Sequence, residues 1–157
     1  MAKHPLYFIL EDIYDTYNVG TFFRLAEAVG AEKIYLCGGT ETLPHPRISK
    51  AAKGTEKLVK WGYGKTVIGV IRELRAIREI NIMAVEQHPR SINYTKANYH
   101  FPLALVFGNE SKGIKASTLK KVDQIVEIPM YGKHKSLNVL SAASIVSYWA
   151  IQSNSNR

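Results

Sequence analysis

Short apolar runs alternate with patterns of helical periodicity along most of this 157-residue chain. The run Leu103–Phe107 is apolar throughout, which is typical of a strand at the centre of a sheet that is buried on both faces. Strands that alternate with helices predict an α/β domain with a parallel sheet and helices on both of its faces. The predicted strands are residues 6–10, 33–36, 58–61, 81–85, 103–107 and 124–128. The predicted helices are residues 18–29, 48–53, 67–79 (capped by Thr66), 115–121 and 137–152.

Length and charge limit the class of protein further. A chain of this length suits one domain with a sizeable core, and only residues 153–157 are predicted to form a loose tail. The net charge of +8 favours polyanionic partners such as nucleic acid or an anionic membrane, and a merely solvated basic surface is the alternative interpretation. Cys37 is the only cysteine, so no intramolecular disulfide is possible, which fits a reducing compartment. The apolar run at residues 6–10 is too short for a signal sequence or a membrane span.

Several common catalytic motifs are incomplete in this sequence. Gly64-Lys65-Thr66 resembles the end of a phosphate-binding P-loop, but Val59 stands where that motif needs a glycine. Gly62-Tyr63-Gly64 lacks the third glycine of a dinucleotide-binding fingerprint, because Val67 occupies that position. We interpret both as a loop before a helix. The five histidines have no metal-ligand spacing and no Gly-x-Ser-x-Gly elbow occurs, so metalloenzyme, kinase and simple hydrolase functions lack support.

Three segments place polar residues beside predicted strand ends or helix starts: residues 18–26, 105–114 and 128–139. In the first, Asn18 could simply cap its helix, and the second could be a polar turn. Gly108 lacks a side chain, which permits close approach of a ligand to the backbone at a strand end. The third segment holds a hydroxyl, an amide and two lysines before a helix that needs only one cap, so we interpret it as a ligand-binding loop.

Together, the three segments resemble the motifs of the SpoU (TrmH) family of RNA ribose 2′-O-methyltransferases in the SPOUT superfamily. The first is similar to Asn…Arg-x-Ala, the second to Leu-x-x-Gly-x-Glu-x-x-Gly, and the third to Ile-Pro-Met…Ser-Leu-Asn-Val. Order and spacing match from residue 6 to about residue 151. The chain departs from the family at Leu25, where Thr is frequent, and at Tyr148-Trp149-Ala150, where a Tyr-Glu pair is frequent.

The resemblance implies a Rossmann-like parallel sheet with a C-terminal trefoil knot, the SPOUT fold. It implies one methyltransferase domain over residues 1–157 without an extra RNA-binding domain. The implied cofactor is S-adenosylmethionine, with no metal and no membrane partner, and the implied assembly is a cytoplasmic homodimer with active sites completed across the interface. The residues expected to contact the cofactor are Val85, Glu86, Phe107, Gly108, Ile128, Met130, Ser136 and Leu137.

The implied reaction is methyl transfer to a ribose 2′-hydroxyl of transfer or ribosomal RNA. The implied catalytic residues are Arg24, with Asn18 as its orienting partner, and Glu110, Ser136 and Asn138 in the same pocket. Arginine normally stays protonated, so Arg24 is expected at least to hold an RNA phosphate, and a proton-transfer role stays open. The residues expected to contact RNA are Arg24, Lys112, Lys133 and Lys135. A catalytically silent RNA-binding factor on the same fold is the alternative, and neither the RNA nor the nucleotide is specified by the sequence.

Overall fold

The computed structural model describes residues 5–155, and its centre is one seven-stranded sheet. The strands are β1 (Leu6–Glu11), β2 (Lys33–Cys37), β3 (Lys60–Gly64), β4 (Asn81–Val85), β5 (Ile92–Asn93), β6 (Leu103–Phe107) and β7 (Gln124–Glu127). Their order across the sheet is β3-β2-β1-β6-β4-β7-β5, and every neighbouring pair runs parallel. The α/β architecture predicted from the alternating pattern is therefore confirmed.

Helices cover both faces of this sheet. One face packs against α1 (Thr16–Val29), α2 (Pro46–Ala52) and α5 (Val139–Ser155). The other face packs against α3 (Val67–Ile77) and the short α4 (Ala116–Leu119). All residues of β1 and β6 are buried, because these two strands pair at the middle of the sheet and have helices on both sides.

Eight of the ten helix ends differ from the predicted ones by one to three residues, and those at the start of α1 and the end of α5 are the most informative. Helix α1 begins at Thr16, because the Asp15 carboxylate accepts a hydrogen bond from the Tyr17 amide at 2.8 Å and so caps the helix. Asn18 therefore does not cap α1 and lies inside it. Helix α5 runs to Ser155, so the predicted tail is wrong for its first three residues, which are helical. Residues 156–157 of that tail lie outside the described part of the chain.

The glycine-rich segment before α3 is a strand rather than the predicted loop. Strand β3 starts two residues later than predicted and includes both Gly62 and Gly64. A Cβ atom on Gly64 would lie 2.4 Å from the Val70 side chain, so this glycine makes room for α3 to pack on the sheet. Strand β5 was not predicted, because a two-residue edge strand is too short to show apolar periodicity.

Helix α1 carries a glycine where α2 packs against it. A Cβ atom on Gly20 would lie 2.5 Å from the Ala51 Cβ and 2.6 Å from the Ile48 carbonyl oxygen. No larger residue fits there without moving one helix. The missing side chain lets the two helices touch closely and fixes α2 beside the first half of α1.

No helix within residues 5–155 has both the length and the apolar character needed to cross a membrane. Over the same residues, no group of three or more His, Cys, Asp or Glu side chains could hold a metal ion. His45 and His88 instead accept hydrogen bonds from nearby backbone amides, at 3.2 and 3.1 Å.

Candidate active site

A cavity of about 480 Å³ opens at the carboxyl edge of the sheet. It lies where the neighbouring strands β6, β4 and β7 end and where α5 begins. This volume falls within the range usual for small-molecule sites, about 300–1,000 Å³. All eight residues predicted to contact a cofactor line the cavity, namely Val85, Glu86, Phe107, Gly108, Ile128, Met130, Ser136 and Leu137, and so do Glu110 and Asn138 from the predicted catalytic set.

The lining of this cavity is acidic and apolar. Its charged side chains are the carboxylates of Glu86 and Glu110, and no Lys, Arg or His is among the lining residues that the structure describes. Apolar side chains, including Val85, Ile128 and Met130, form much of the remaining wall. Negative charge beside apolar walls favours a cationic ligand with an apolar part and disfavours a phosphate ester.

The loop after β6 folds back tightly onto Gly108. A Cβ atom on Gly108 would lie 2.5 Å from both the Gly113 carbonyl carbon and the Ile114 amide nitrogen. The sequence-based explanation for this glycine, close approach of a ligand, therefore needs correction, because the chain's own backbone occupies the space. The Asn109 side chain tightens the turn further by accepting hydrogen bonds from the Ser111 and Lys112 amides, both at 2.9 Å.

Glu86 joins two loops that form the cavity wall. Its Oε2 accepts a hydrogen bond from the Ile114 amide at 2.9 Å, and its Oε1 accepts one from the Gln87 amide at 3.0 Å. The first of these bonds connects the end of β4 to the loop after β6. Glu86 therefore stabilises the shape of the cavity as well as contributing negative charge to it.

Glu110 connects the cavity to the start of α1. Its Oε1 accepts hydrogen bonds from the Asp15 amide at 3.2 Å and from the Asn18 side-chain amide at 3.4 Å. Asn18 is buried, with 4% of its surface exposed. The structure thus brings two of the predicted catalytic residues, Asn18 and Glu110, into direct contact.

Arg24 lies apart from that contact. It is exposed on α1 and is not among the residues that line the cavity. Six residues separate it from Asn18, which places it about 9 Å further along the helix and on a different side. No described residue forms an ion pair with it, including Glu27 one turn later. Within one chain, the structure does not bring Arg24 to Asn18 or to the other predicted catalytic residues.

The loop between β7 and α5 forms the outer wall of the cavity. Asn138 accepts hydrogen bonds from the Leu140 amide at 2.8 Å and the Ser141 amide at 3.4 Å, so it caps α5. The interpretation that disfavoured a capping role is therefore wrong for Asn138, which both caps the helix and lines the cavity. Gln87 anchors this loop by donating a side-chain hydrogen bond to the Lys135 carbonyl oxygen.

The predicted RNA-binding lysines stand around the cavity rather than inside it. Lys112, Lys133 and Lys135 are all exposed, and each lies next to or near a residue of the lining. Lys115 is partly neutralised, because its Nζ lies 3.4 Å from the Asp12 carboxylate. The cavity is therefore acidic within and bordered by positive charge.

Two acidic residues that were not predicted to be part of this site support it. Glu11 is buried, and its carboxylate accepts hydrogen bonds from the Lys115 amide at 2.7 Å and the Thr118 hydroxyl at 2.5 Å. The Asp12 carbonyl oxygen accepts a hydrogen bond from the Asn109 side chain at 2.7 Å. The sequence signal was an acidic pair directly after a buried apolar strand, at the edge where ligands bind.

The buried thiol of Cys37 lies beside these acids, opposite Glu11 in the β1–β2 register. Burial, with smaller contributions from the negative charges of Glu11 and Asp12, raises the pKa of the Cys37 thiol from 9.0 to about 12. A neutral buried thiol is a poor nucleophile, so Cys37 acts as part of the core.

Comparison with known proteins agrees with this geometry. The model of the SpoU rRNA Methylase family matches residues 5–148. The 23S rRNA (guanosine-2′-O-)-methyltransferase RlmB of Neisseria meningitidis is 31% identical over 93% of this chain and 58% of its own length. The tRNA (guanosine(18)-2′-O)-methyltransferase of Borreliella burgdorferi is 30% identical over 94% of this chain and 66% of its own length. The chain thus spans roughly three fifths of the length of these curated relatives.

Solved structures show the same fold. An AdoMet-bound rRNA methyltransferase from Sinorhizobium meliloti superposes with a TM-score of 0.88 and 27% identity, over 96% of this chain and 58% of that one. The SpoU methyltransferase AviRb from Streptomyces viridochromogenes, in complex with AdoMet, has a TM-score of 0.90 and 21% identity, over 99% of this chain and 63% of that one. With the family model covering most of its length and the three motifs gathered at one edge of its sheet, this chain belongs to the SpoU methylase family.

Proposed function

We propose that this protein transfers a methyl group from S-adenosylmethionine to a ribose 2′-hydroxyl of transfer or ribosomal RNA. The observation that carries the proposal is the single cavity that gathers all eight predicted cofactor residues at the ends of β4, β6 and β7. The names of the relatives support the reaction class, because they describe 2′-O-methyltransferases of ribosomal and transfer RNA.

The residues of the cavity fit this cofactor chemically. S-adenosylmethionine carries positive charge on its sulfonium and amino groups, and the cavity offers the carboxylates of Glu86 and Glu110 with no basic side chain among its described lining. Apolar walls from Val85, Ile128 and Met130 suit the adenosine part and exclude water. When bound, the cofactor supplies an electrophilic methyl group.

The polar residues of the lining would orient the ribose. Asn138 uses its Oδ1 to cap α5, which leaves its side-chain NH₂ group available to a ribose oxygen. The Ser136 hydroxyl lies two residues away on the same exposed loop and also lines the cavity. Glu110 would hold Asn18 and the start of α1 against the site through the bonds already described.

We assign Arg24 at least the role of holding an RNA phosphate, since a planar guanidinium pairs well with phosphate oxygens and normally stays protonated. A role in moving the 2′-hydroxyl proton stays part of the same proposal. Because Arg24 lies outside the cavity of its own chain, it would serve the cavity of a second copy.

The proposed homodimer is supported by an exposed stripe on α5. Ile145 and Tyr148 are 38% and 45% exposed, and they lie three residues apart on one side of the helix. Large apolar side chains that are exposed next to one another often mark a surface that a partner covers. The trefoil knot, the single-domain organisation and a cytoplasmic location, where both proposed RNA substrates occur, belong to the same proposal.

The first test separates an enzyme from a silent RNA-binding factor. Calorimetric titration with S-adenosylmethionine should show binding, and RNA from cells lacking the gene should accept labelled methyl groups on ribose when protein and cofactor are added. Arg24→Ala should bind the cofactor normally but transfer poorly, and Arg24→Lys should recover little because lysine lacks the planar fork. Absence of cofactor binding would favour the silent factor, and near-native turnover by both Arg24 variants would contradict the assigned role.

The second test addresses the shared site. Arg24→Ala and Asn138→Ala proteins are each expected to be nearly inactive. If Arg24 serves the partner's cavity, random pairing of the two variants creates one intact site in half of the dimers, so the mixture should recover about a quarter of wild-type activity. No recovery after subunit exchange, verified by differently tagged chains, would contradict a site shared between protomers. Mapping of ribose methylation in cells with and without the gene would then identify the nucleotide.

A further inference from the structure

A stretch of dense positive charge lies away from the cavity. Residues 45–60 contain five Lys or Arg and one acidic residue, so this short stretch carries half of the net charge of +8. It covers α2, a 3-10 turn at Thr55–Lys57 and the first residue of β3. The five basic residues are all exposed: Arg47, Lys50, Lys53, Lys57 and Lys60.

None of these five cations is neutralised by an ion pair with a residue that the structure describes. The acidic residue of the stretch, Glu56, has its Oε2 buried without a hydrogen-bond partner, so it does not reach across the surface to the lysines. Like charges crowded together repel one another and raise the free energy of the folded state. A polyanion bound to such a surface would relieve this repulsion, and its binding would be favoured by release of the counterions condensed on the polyanion.

The segment that carries four of these cations packs against α1, the helix that also carries Arg24. Gly20 lets α2 pack directly on α1, and the 3-10 turn also contacts α1. Arg24 follows Gly20 by four residues, so it lies one turn further along the same side of α1 as the contact with α2. Lys60 is different, because its neighbour Trp61 packs into the core on the α1 side, which directs Lys60 to the α3 side of the sheet.

We infer that Arg47, Lys50, Lys53 and Lys57 form a phosphate-binding surface, continuous with Arg24, that holds the RNA strand entering the active site. Arg47 and Lys50 are three residues apart on α2, and Lys53 and Lys57 follow at the end of that helix and in the next turn. This row contacts the backbone and so contributes affinity and position rather than sequence readout. The inference rests on the proposed function for the identity of its ligand.

The test compares two double variants. Lys50→Gln/Lys57→Gln removes charge from the proposed surface, and Lys60→Gln/Arg72→Gln is the control. Both remove two exposed positive charges, but Arg72 lies on α3 and Lys60 points to the same side as α3. Binding of fluorescein-labelled bulk transfer RNA would be followed by anisotropy from about 50 to 200 mM salt. Calorimetric titration with S-adenosylmethionine should be unchanged in both variants, which controls for folding.

Each lost phosphate contact is expected to lower the slope of log affinity against log salt by about 0.7–0.9, so Lys50→Gln/Lys57→Gln should lower it by about 1.5. Over a fourfold change in salt, the wild type should then lose about eightfold more affinity than this variant does. The control pair should keep the wild-type slope. The inference would be overturned if both variants lowered the slope equally or if neither variant changed it. The second of these results would point to a partner other than RNA.

The RNA-binding experiment can succeed or fail independently of the proposed methyl transfer. If the wild-type protein bound no S-adenosylmethionine and methylated no RNA, the proposed reaction would fail. The comparison of RNA-binding slopes would still decide whether the α2 surface binds RNA phosphates, because it needs neither cofactor nor turnover.

Discussion

Gly108→Ala is expected to deform the cavity from within. The added Cβ would lie 2.5 Å from the Gly113 carbonyl carbon and from the Ile114 amide nitrogen, and 2.6 Å from the Ile114 side chain. Two of these three atoms belong to the backbone, which cannot rotate out of the way as a flexible side chain can. The loop after β6 must therefore move as a unit, and the cavity wall moves with it.

The size of the effect follows from two contributions. Forcing an extra methyl group into a packed site costs about 1–3 kcal/mol. Moving the Ile114 amide away from the Glu86 carboxylate, now 2.9 Å distant, loses a hydrogen bond to a charged group worth about 1.5–3 kcal/mol. Because the loop relaxes in part, we expect the free energy of unfolding to fall by about 2–5 kcal/mol, a large share of the usual 5–15 kcal/mol.

Urea unfolding gives the free energy of unfolding, and calorimetry with S-adenosylmethionine gives the affinity of the cavity. Gly132→Ala is the matched control, because it lies in the loop before α5 and an added Cβ would meet nothing within 4 Å. We expect the control to change stability by less than about 0.5 kcal/mol. The reasoning is refuted if Gly108→Ala unfolds like the wild type. A loss of affinity without loss of stability would instead restore the idea that Gly108 makes room for the ligand.

Three further predictions concern the surroundings of the cavity. Asn138→Ala should lower the free energy of unfolding, measured in urea, by about 1 kcal/mol because α5 loses its cap. An unchanged free energy of unfolding would contradict the capping role of Asn138. Glu11→Gln should cost about 1–3 kcal/mol, because the Lys115 amide and Thr118 hydroxyl lose a charged acceptor, and wild-type stability would contradict this. The raised pKa of Cys37 means that folding favours the neutral thiol. The contribution of the neutral Cys37 thiol to the free energy of unfolding should be complete below pH 9 and lost as the pH rises towards about 12. Iodoacetamide at pH 8 should label Cys37 only after the protein unfolds. Rapid labelling of the folded protein would contradict the burial.

The strands were predicted best where burial alone determines the sequence pattern. Strands β4 and β6 begin and end at the predicted residues, because apolar residues fill β6 and all of β4 after Asn81, and both strands end at a turn or a polar residue. Prediction failed for β3, since glycines that make room for α3 resemble those of a loop. It also failed at the start of α1, where Asp15 and Asn18 are both good caps and only the tertiary structure shows which one acts.

The residues of the cavity were predicted because short motifs follow the strand ends that meet there. The bonds that hold them together were not predicted, because they join residues far apart in the chain. Glu11 bonds to Lys115 across 104 positions, and Glu110 bonds to Asn18 across 92. Local sequence patterns carry no signal for such pairs, so a carboxylate that supports a loop looks the same in sequence as one exposed to solvent.

The contact at Gly20 has a mechanical consequence. Since the two helices are in direct contact there, a displacement of α1 is expected to displace α2 as well. Glu110 is hydrogen-bonded to the start of α1. A ligand that displaced the cavity loop would therefore also displace α1 and the α2 helix packed on it. Under the proposed function, binding of a ligand in the cavity would therefore shift the positive charges of Arg24 and α2 relative to bound RNA.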